Sequence, residues 1–349
     1  MFGERLERSR KAAGLSLRAL GEKVGVSQTA ISKFEKNQLV PDSSMLLKLS
    51  TALSVKVEYF FRQQTIGLNL DAVEYRKREM PKKSLDLINA KIIDQIEKRF
   101  ELESVFPNPP LPEFVLSSEL PENVMRLEDI DGFVDKLRVV WELGSAPILD
   151  LIDVLESHGI RVFSIDDSID SKFDGLAAKI DNKPIIVISA DWPGDRQRFT
   201  LAHELGHLVL KGRLPKEIDE EKAANRFAGA FLLPTHAIQH ELGTHRNFIE
   251  IRELSLLKHE FGISMMGAVI RAYQTDIIDK KTYSTLWDMF KRHGWLKKEP
   301  GEPYPSGNPH VFEQLVFHAL AEEFIGESKG AQLMGMSVID FYNMRMMSA

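Results

Sequence analysis

The 349-residue sequence contains no cysteine, which excludes disulfide staples and any zinc site built on thiolates. It also lacks a long apolar run: nothing approaches the ~20 consecutive residues a membrane helix needs. Charges begin at Glu4, where a secretory leader would need an apolar stretch. These absences point to a soluble, cytoplasmic protein with no membrane contact. What remains is the composition of an ordinary globular chain, 43% hydrophobic and 28% charged, long enough for two or three domains with their own cores.

The net charge of -6 is unevenly spread. Residues 1–65 carry 11 Lys and Arg against 6 Asp and Glu, a balance of +5, so the remaining residues carry -11. A basic head on an acidic body points to a polyanionic partner for the head. The head reads as five short helices. Gly14 stops the first, Ser16 caps a second over Leu17 to Val24, and Gly25-Val26 turns the chain before Ser27 caps a third over Gln28 to Lys36. Pro41 and Asp42 introduce a fourth, and Val57 to Phe61 forms a last apolar turn. Two short helices across a Gly-containing turn make a helix-turn-helix.

Over its whole length this head resembles the Xre-type repressor domains, related to phage Cro and lambda-type repressors, most tellingly in GVSQTAISKFEKN. The resemblance implies that the third helix enters the major groove of a double-stranded DNA operator. Gln28, Thr29, Ser32 and Lys33 would then meet bases, with Lys36 and Asn37 nearer the phosphates. Pairing of two copies on paired half-sites, hence a homodimer, follows from the same resemblance. Two departures bear on detail: Leu17 stands where the family usually has Gln, which implies a weaker phosphate contact. Gly21 stands where it usually has Ala, which implies a looser helix pair.

A second motif lies in RFTLAHELGHLVL. A helix advances about 100° per residue, so His203 and His207 project from one face a turn apart and can grip one metal ion. Glu204 stands one residue step around, placed to take a proton from water without being a ligand. The chain carries its own contrast in His240-Glu241-Leu242-Gly243-Thr244, which lacks the second imidazole. Zinc in a hydrolase usually takes three protein ligands. The small and apolar run from Glu221 to Pro234 reads as a second buried helix with Glu221 in its first turn and Asn225 one turn on. Glu221 is the candidate third ligand and Asn225 its outer hydrogen-bond partner. Glu220 competes for the role, and an acid at a helix N-terminus also has a purely structural use.

RFTLAHELGHLVL followed by EEKAANRFAGAFLLP resembles the ImmA/IrrE metallopeptidases, and the likeness extends back to FDGLAA and KPIIVIS. By position it implies His203, His207 and Glu221 as zinc ligands, Glu204 as general acid and base, and a repressor-type protein as substrate. Because the DNA-binding head is on the same chain, cleavage of the chain itself is equally open. The alternative is a regulator or toxin-antitoxin component whose metal-site domain senses a ligand or metal and cleaves nothing.

The expected fold is mainly α with a small β-sheet, in four parts. Residues 1–64 form the repressor-like domain of five helices. Residues 65–124 form a connector, helical over Val73 to Phe106 with a basic cluster at Arg76, Lys77, Arg78, Lys82 and Lys83, then a Pro-rich spacer. Residues 125–240 form a zincin-like core: helices over Met125 to Leu143 and Pro147 to His158, then strands Ile160 to Ile165, Leu176 to Ile180 and Ile185 to Ile188 before the metal helix. Arg198 reads equally as an orienting or a surface charge. Residues 241–349 are helical. Their Phe261-Gly262-Ile263-Ser264 and Met334-Gly335-Met336-Ser337 repeat the rhythm of Val24-Gly25-Val26-Ser27, as helix-turn-helix units reused for packing.

Overall fold

The computed structural model describes residues 2–61, 82–165, 173–180 and 182–347. Among them are sixteen α-helices and one three-stranded sheet, the mainly α architecture with a small sheet that the periodicity implies. By its contacts the chain divides into two compact units. One holds residues 1–110 and 310–349, the other 111–166 and 173–309.

The first unit begins with α1 (Phe2–Ala12), α2 (Leu17–Val24), α3 (Gln28–Glu35), α4 (Ser43–Leu53) and a 3₁₀ turn, Val57–Phe61. Their ends are set by the residues the sequence singles out. Ser16, Ser27 and Asp42 each accept a backbone N–H three residues on, and Gly25 supplies the left-handed residue (φ 79°) that stops α2. Leu6, Leu20, Val24, Ile31, Phe34, Leu49 and Phe60 fill the core. Arg10 locks α1 to α3 by donating to both carboxylate oxygens of Glu35 (2.6 and 3.0 Å) and to the Leu15 carbonyl. The looser helix pair expected at Gly21 is reversed. A Cβ there would lie 2.6 Å from the Val26 carbonyl oxygen, so glycine lets α2 close onto the turn.

Then comes α5 (Lys82–Glu103), the described part of the expected connector helix. Arg76, Lys77 and Arg78, and the side chains of Lys82 and Lys83, lie outside the described residues. Buried Glu97 on α5 accepts from Arg5 (2.9 Å) and Arg8 (2.5 Å) on α1. Tyr59, which packs against Arg5, is pushed up to about 12, chiefly by burial and next by the Asp94 carboxylate, with Arg8 and Arg5 opposing. A phenol held neutral in the folded state contributes stability that is complete below its ordinary pKa of about 10 and is lost as pH rises toward 12. Alkaline unfolding of the wild type should therefore steepen over that window, and Tyr59→Phe should flatten it. Superimposable pH profiles would contradict the assignment.

The second unit opens with α6 (Asp129–Val140) and α7 (Leu151–Ser157), both shorter than expected; Asp150, which accepts from Ile152 and Asp153 N–H, starts the latter. Strands β1 (Arg161–Ile165), β2 (Gly175–Ile180) and β3 (Lys183–Ser189) follow. The sheet order is β1-β3-β2: β1 runs parallel to β3 (Arg161 opposite Ile185), and β2 antiparallel to it (Gly175 opposite Ile188). Asn182 of the connecting turn is left-handed (φ 63°), and Asp181 lies outside the described residues. Next come α8 (Gly194–Leu210), α9 (Glu220–Leu232), α10 (Thr235–Leu242), α11 (Ile251–Phe261), α12 (Met265–Gln274) and α13 (Lys280–Arg292). Arg198, left open by the sequence, is buried, donating to the carbonyls of Ile148 (2.7 Å) and Phe261 (3.2 Å).

The chain closes with α14 (Val311–Ala321), α15 (Glu327–Met334) and α16 (Val338–Arg345). Residues 310–349, which the Pro- and Gly-rich break over 297–309 marks off in the sequence as a separate helical cap at the end of the C-terminal region, group with the N-terminal unit because α5 packs on both α1 and α14. Leu102 of α5 joins Leu315, Val316, Ala319 and Phe341 in one cluster.

Candidate metal centre

Helix α8 packs on β2, β3 and α9 with Leu201, Ala202, Leu205 and Val209 buried in the core, and His203 and His207 both come within reach of Glu221 at the start of α9. The two helices can approach because position 206 is glycine. A Cβ there would sit 3.1 Å from the Phe227 ring and 3.3 Å from the Ala224 Cα. Asp219 starts α9 by accepting the Lys222 N–H, and Arg226 anchors its outer face by donating to Asp131 of α6 (2.7 Å). Arg271 of α12 reaches the same carboxylate. The Asp131 partnership spans 95 residues and has no local signal; the glycine inside the metal motif is the one clue the sequence offers to the close approach.

The result is a convergence of three donors. His203 Nε2 and His207 Nε2 are 3.1 Å apart, and the Glu221 oxygens lie 3.6 and 3.5 Å from them. Tetrahedral zinc with donors at about 2.0–2.2 Å would set neighbouring donors about 3.3 Å apart, so the three side chains present fit such an ion. Glu221, rather than Glu220, belongs to the group whose ligand atoms all lie within 4.8 Å of one another. The tautomer fits as well. Asn225 Oδ1 lies 2.9 Å from His203 Nδ1. With the carbonyl oxygen of Asn225 facing the ring, Nδ1 carries the hydrogen and Nε2 presents a lone pair to the other donors. Replacing Asn225 by Ala should weaken zinc binding about 10- to 100-fold by equilibrium dialysis. An unchanged affinity would show that the amide does not orient the ring.

Glu204 is buried one residue step from His203, while Glu221 is half exposed, so the group meets solvent on one side. Exposed His240 pairs with Glu241 and stands apart from any such group among the described residues. The start of β2 is tied to the first turn of α8: the Trp192 indole donates to the Phe173 carbonyl (2.9 Å), and Arg196 covers the Trp192 ring while bonding Asp174 (2.5 Å). On α3, Gln28, Thr29, Lys33 and Lys36 are exposed and Ser32 half-buried, opposite buried Ile31 and Phe34. Asn37, also exposed, spends its amide oxygen on the Gly3 N–H (2.9 Å), which caps α1 and leaves only its NH₂ to donate elsewhere.

Two stretches of the chain match known families. Residues 155–273 match the IrrE N-terminal-like domain of the peptidase M78 family, and residues 6–60 match the helix-turn-helix family. The chain is 36% identical over 89 residues to Repressor protein C2 of Salmonella phage P22, covering 26% of this chain and 40% of that repressor. It is 30% identical over 73 residues to the uncharacterized HTH-type transcriptional regulator YonR, derived from prophage SPbeta of Bacillus subtilis, covering 21% of this chain and 68% of YonR. To the HTH-type transcriptional regulator ImmR of Bacillus subtilis it is 24% identical over 126 residues, covering 36% of this chain and 84% of ImmR.

Proposed function

This chain belongs to the helix-turn-helix transcription regulators and carries an IrrE N-terminal-like peptidase domain, and on that footing we propose that it is a DNA-binding, zinc-dependent endopeptidase of the cytoplasm. It reads a double-stranded operator with α3 and controls transcription by cleaving a repressor-type protein or a copy of itself. The observation that carries the reading is the spacing of the three donors, His203, His207 and Glu221; Glu204, buried, follows His203 in the same helix.

A bound zinc ion supplies Lewis acidity, lowering the pKa of water and polarising a carbonyl. The protein's residues supply the rest. Asn225 holds His203 in the tautomer that a ligand needs, Glu204 takes the proton of the attacking water, and the same carboxyl returns it to the leaving amine. Strand β2 forms one edge of the sheet, beside α8, and an extended substrate would pair along that edge. On the DNA side, Gln28 can read adenine through two hydrogen bonds, Thr29, Ser32 and Lys33 lie on the same face, and Lys36 with Asn37 lies toward the phosphates.

The test is mass spectrometry of the zinc-loaded full chain incubated alone and with co-expressed proteins. New termini that depend on zinc are expected. Zinc bound tightly with no new termini would favour a metal-sensing regulator instead.

A further inference from the structure

The turn between α2 and α3 recurs at the end of the chain with the same backbone. Gly25 closes α2 at φ 79°, ψ 32°; Gly335 closes α15 at φ 73°, ψ 17°. Ser27 (φ -68°, ψ 153°) caps α3 by accepting the Ala30 N–H, and Ser337 (φ -69°, ψ 158°) caps α16 by accepting the Asp340 N–H. Both second helices have eight residues and end alike, Lys36 at φ -85°, ψ 4° before left-handed Asn37, and Met346 at φ -82°, ψ 0° before left-handed Met347. The inward positions match too: Ile31 and Phe341 are both fully buried.

The outward positions do not. Where the head presents Gln28, Thr29, Ser32, Lys33, Lys36 and Asn37, α16 presents Val338, Ile339, Tyr342, Asn343, Met346 and Met347. Ile339 is 73% exposed, Met346 55% and Met347 92%. A third copy of the turn, at Gly262 and Ser264, supplies a control. There the second helix is also apolar, but Met265, Met266 and Val269 are buried in their own unit. The apolar face of α16 is left uncovered among the described residues, and a cluster of that kind on a folded surface marks a contact site.

We infer that α15 and α16 are a DNA-reading helix pair converted to protein contact, and that the occupant of the α16 face is the same face of a second copy of this chain. The six outward positions carry no charge, and Arg345, which borders them, is paired with Glu327 of α15, so two copies meet without opposing unpaired like charges, as two lysine-bearing α3 faces could not. Five large side chains, roughly half exposed, amount to about 500 Å² per copy, which lies at the low end of specific interfaces and corresponds to a weak dimer completed on DNA. α16 belongs to the same compact unit as α3, with α5 packed on both α1 and α14, so pairing it presents two α3 helices as one assembly. The inference rests on the DNA-reading half of the proposed function and not on the metal site.

The experiment is sedimentation equilibrium of the full chain without DNA, alongside gel shifts on duplexes, enriched from a random library by the wild type, that carry one or two half-sites. Ile339→Asp and Tyr342→Ala sit on the exposed face and should leave the circular dichroism unchanged. Each should weaken self-association at least about tenfold, and each should remove cooperative filling of two half-sites while single-site affinity stays the same. A wild type that remains monomeric at all concentrations would overturn the inference. So would variants that associate like the wild type, or a variant that loses single-site affinity, because the face would then read DNA. If the wild type binds no duplex yet still dimerises through these residues, the DNA reading fails and the interface stands.

Discussion

Replacing Glu204 by Gln should lower peptide hydrolysis about 10³-fold, since a general base positioned for proton transfer contributes roughly 10²- to 10⁴-fold. Zinc stoichiometry should be unaffected, because the donors that converge are His203, His207 and Glu221 and the Glu204 side chain is not among them. His207→Ala should lose both properties. Fragment appearance by mass spectrometry and metal content by atomic absorption, read on the same samples, separate the two roles. Hydrolysis by Glu204→Gln at the wild-type rate would remove this residue from the chemistry while leaving the metal centre intact.

The largest stability effect is expected at Glu97. Its carboxylate takes hydrogen bonds from Arg5, which is fully buried, and from Arg8. Glu97→Ala removes the charge that the Arg5 guanidinium faces across the α1–α5 contact. Breaking one side of a buried pair costs about 3–5 kcal/mol. For a unit of this size that lowers the melting temperature by roughly 10 °C. Replacing the fully buried partner as well, Arg5→Met with Glu97→Leu, should recover most of the loss, because the charge that remains, Arg8, reaches solvent. A single variant that melts within a degree of the wild type in scanning calorimetry would show that α5 does not clamp the head. Because α5 also packs on α14, the single variant should in addition weaken cooperative binding to two half-sites.

The head was legible because its signals are local. Ser16, Ser27 and Asp42 state where helices begin, Gly25 states where one ends, and α2 spans the Leu17 to Val24 read from the sequence. The helix carrying His203 and His207 was legible for the same reason, as a fixed spacing on one face. The partnerships that complete each region are long-range and leave no pattern. Nothing in residues 310–349 announces that they pack with α5, since the apolar stripe of α5 states only that something covers it. Arg198 reads as a charge near a cleft, yet its guanidinium spends its hydrogen bonds on carbonyls about fifty and sixty residues away in sequence. Gly21 misled in the opposite direction: a missing methyl reads as a gap, whereas here the backbone moves in to fill it.

The account depends most on two imidazoles and one carboxylate sharing a single ion. X-ray absorption at the zinc edge of the full chain, loaded to saturation and dialysed, tests it directly. The expected spectrum has one zinc per chain in a four-coordinate shell of nitrogen and oxygen at about 2.0–2.2 Å with two imidazole signatures, and Glu221→Ala changes that shell. A chain that retains no zinc after dialysis, or a shell that Glu221→Ala leaves unaltered, would contradict it.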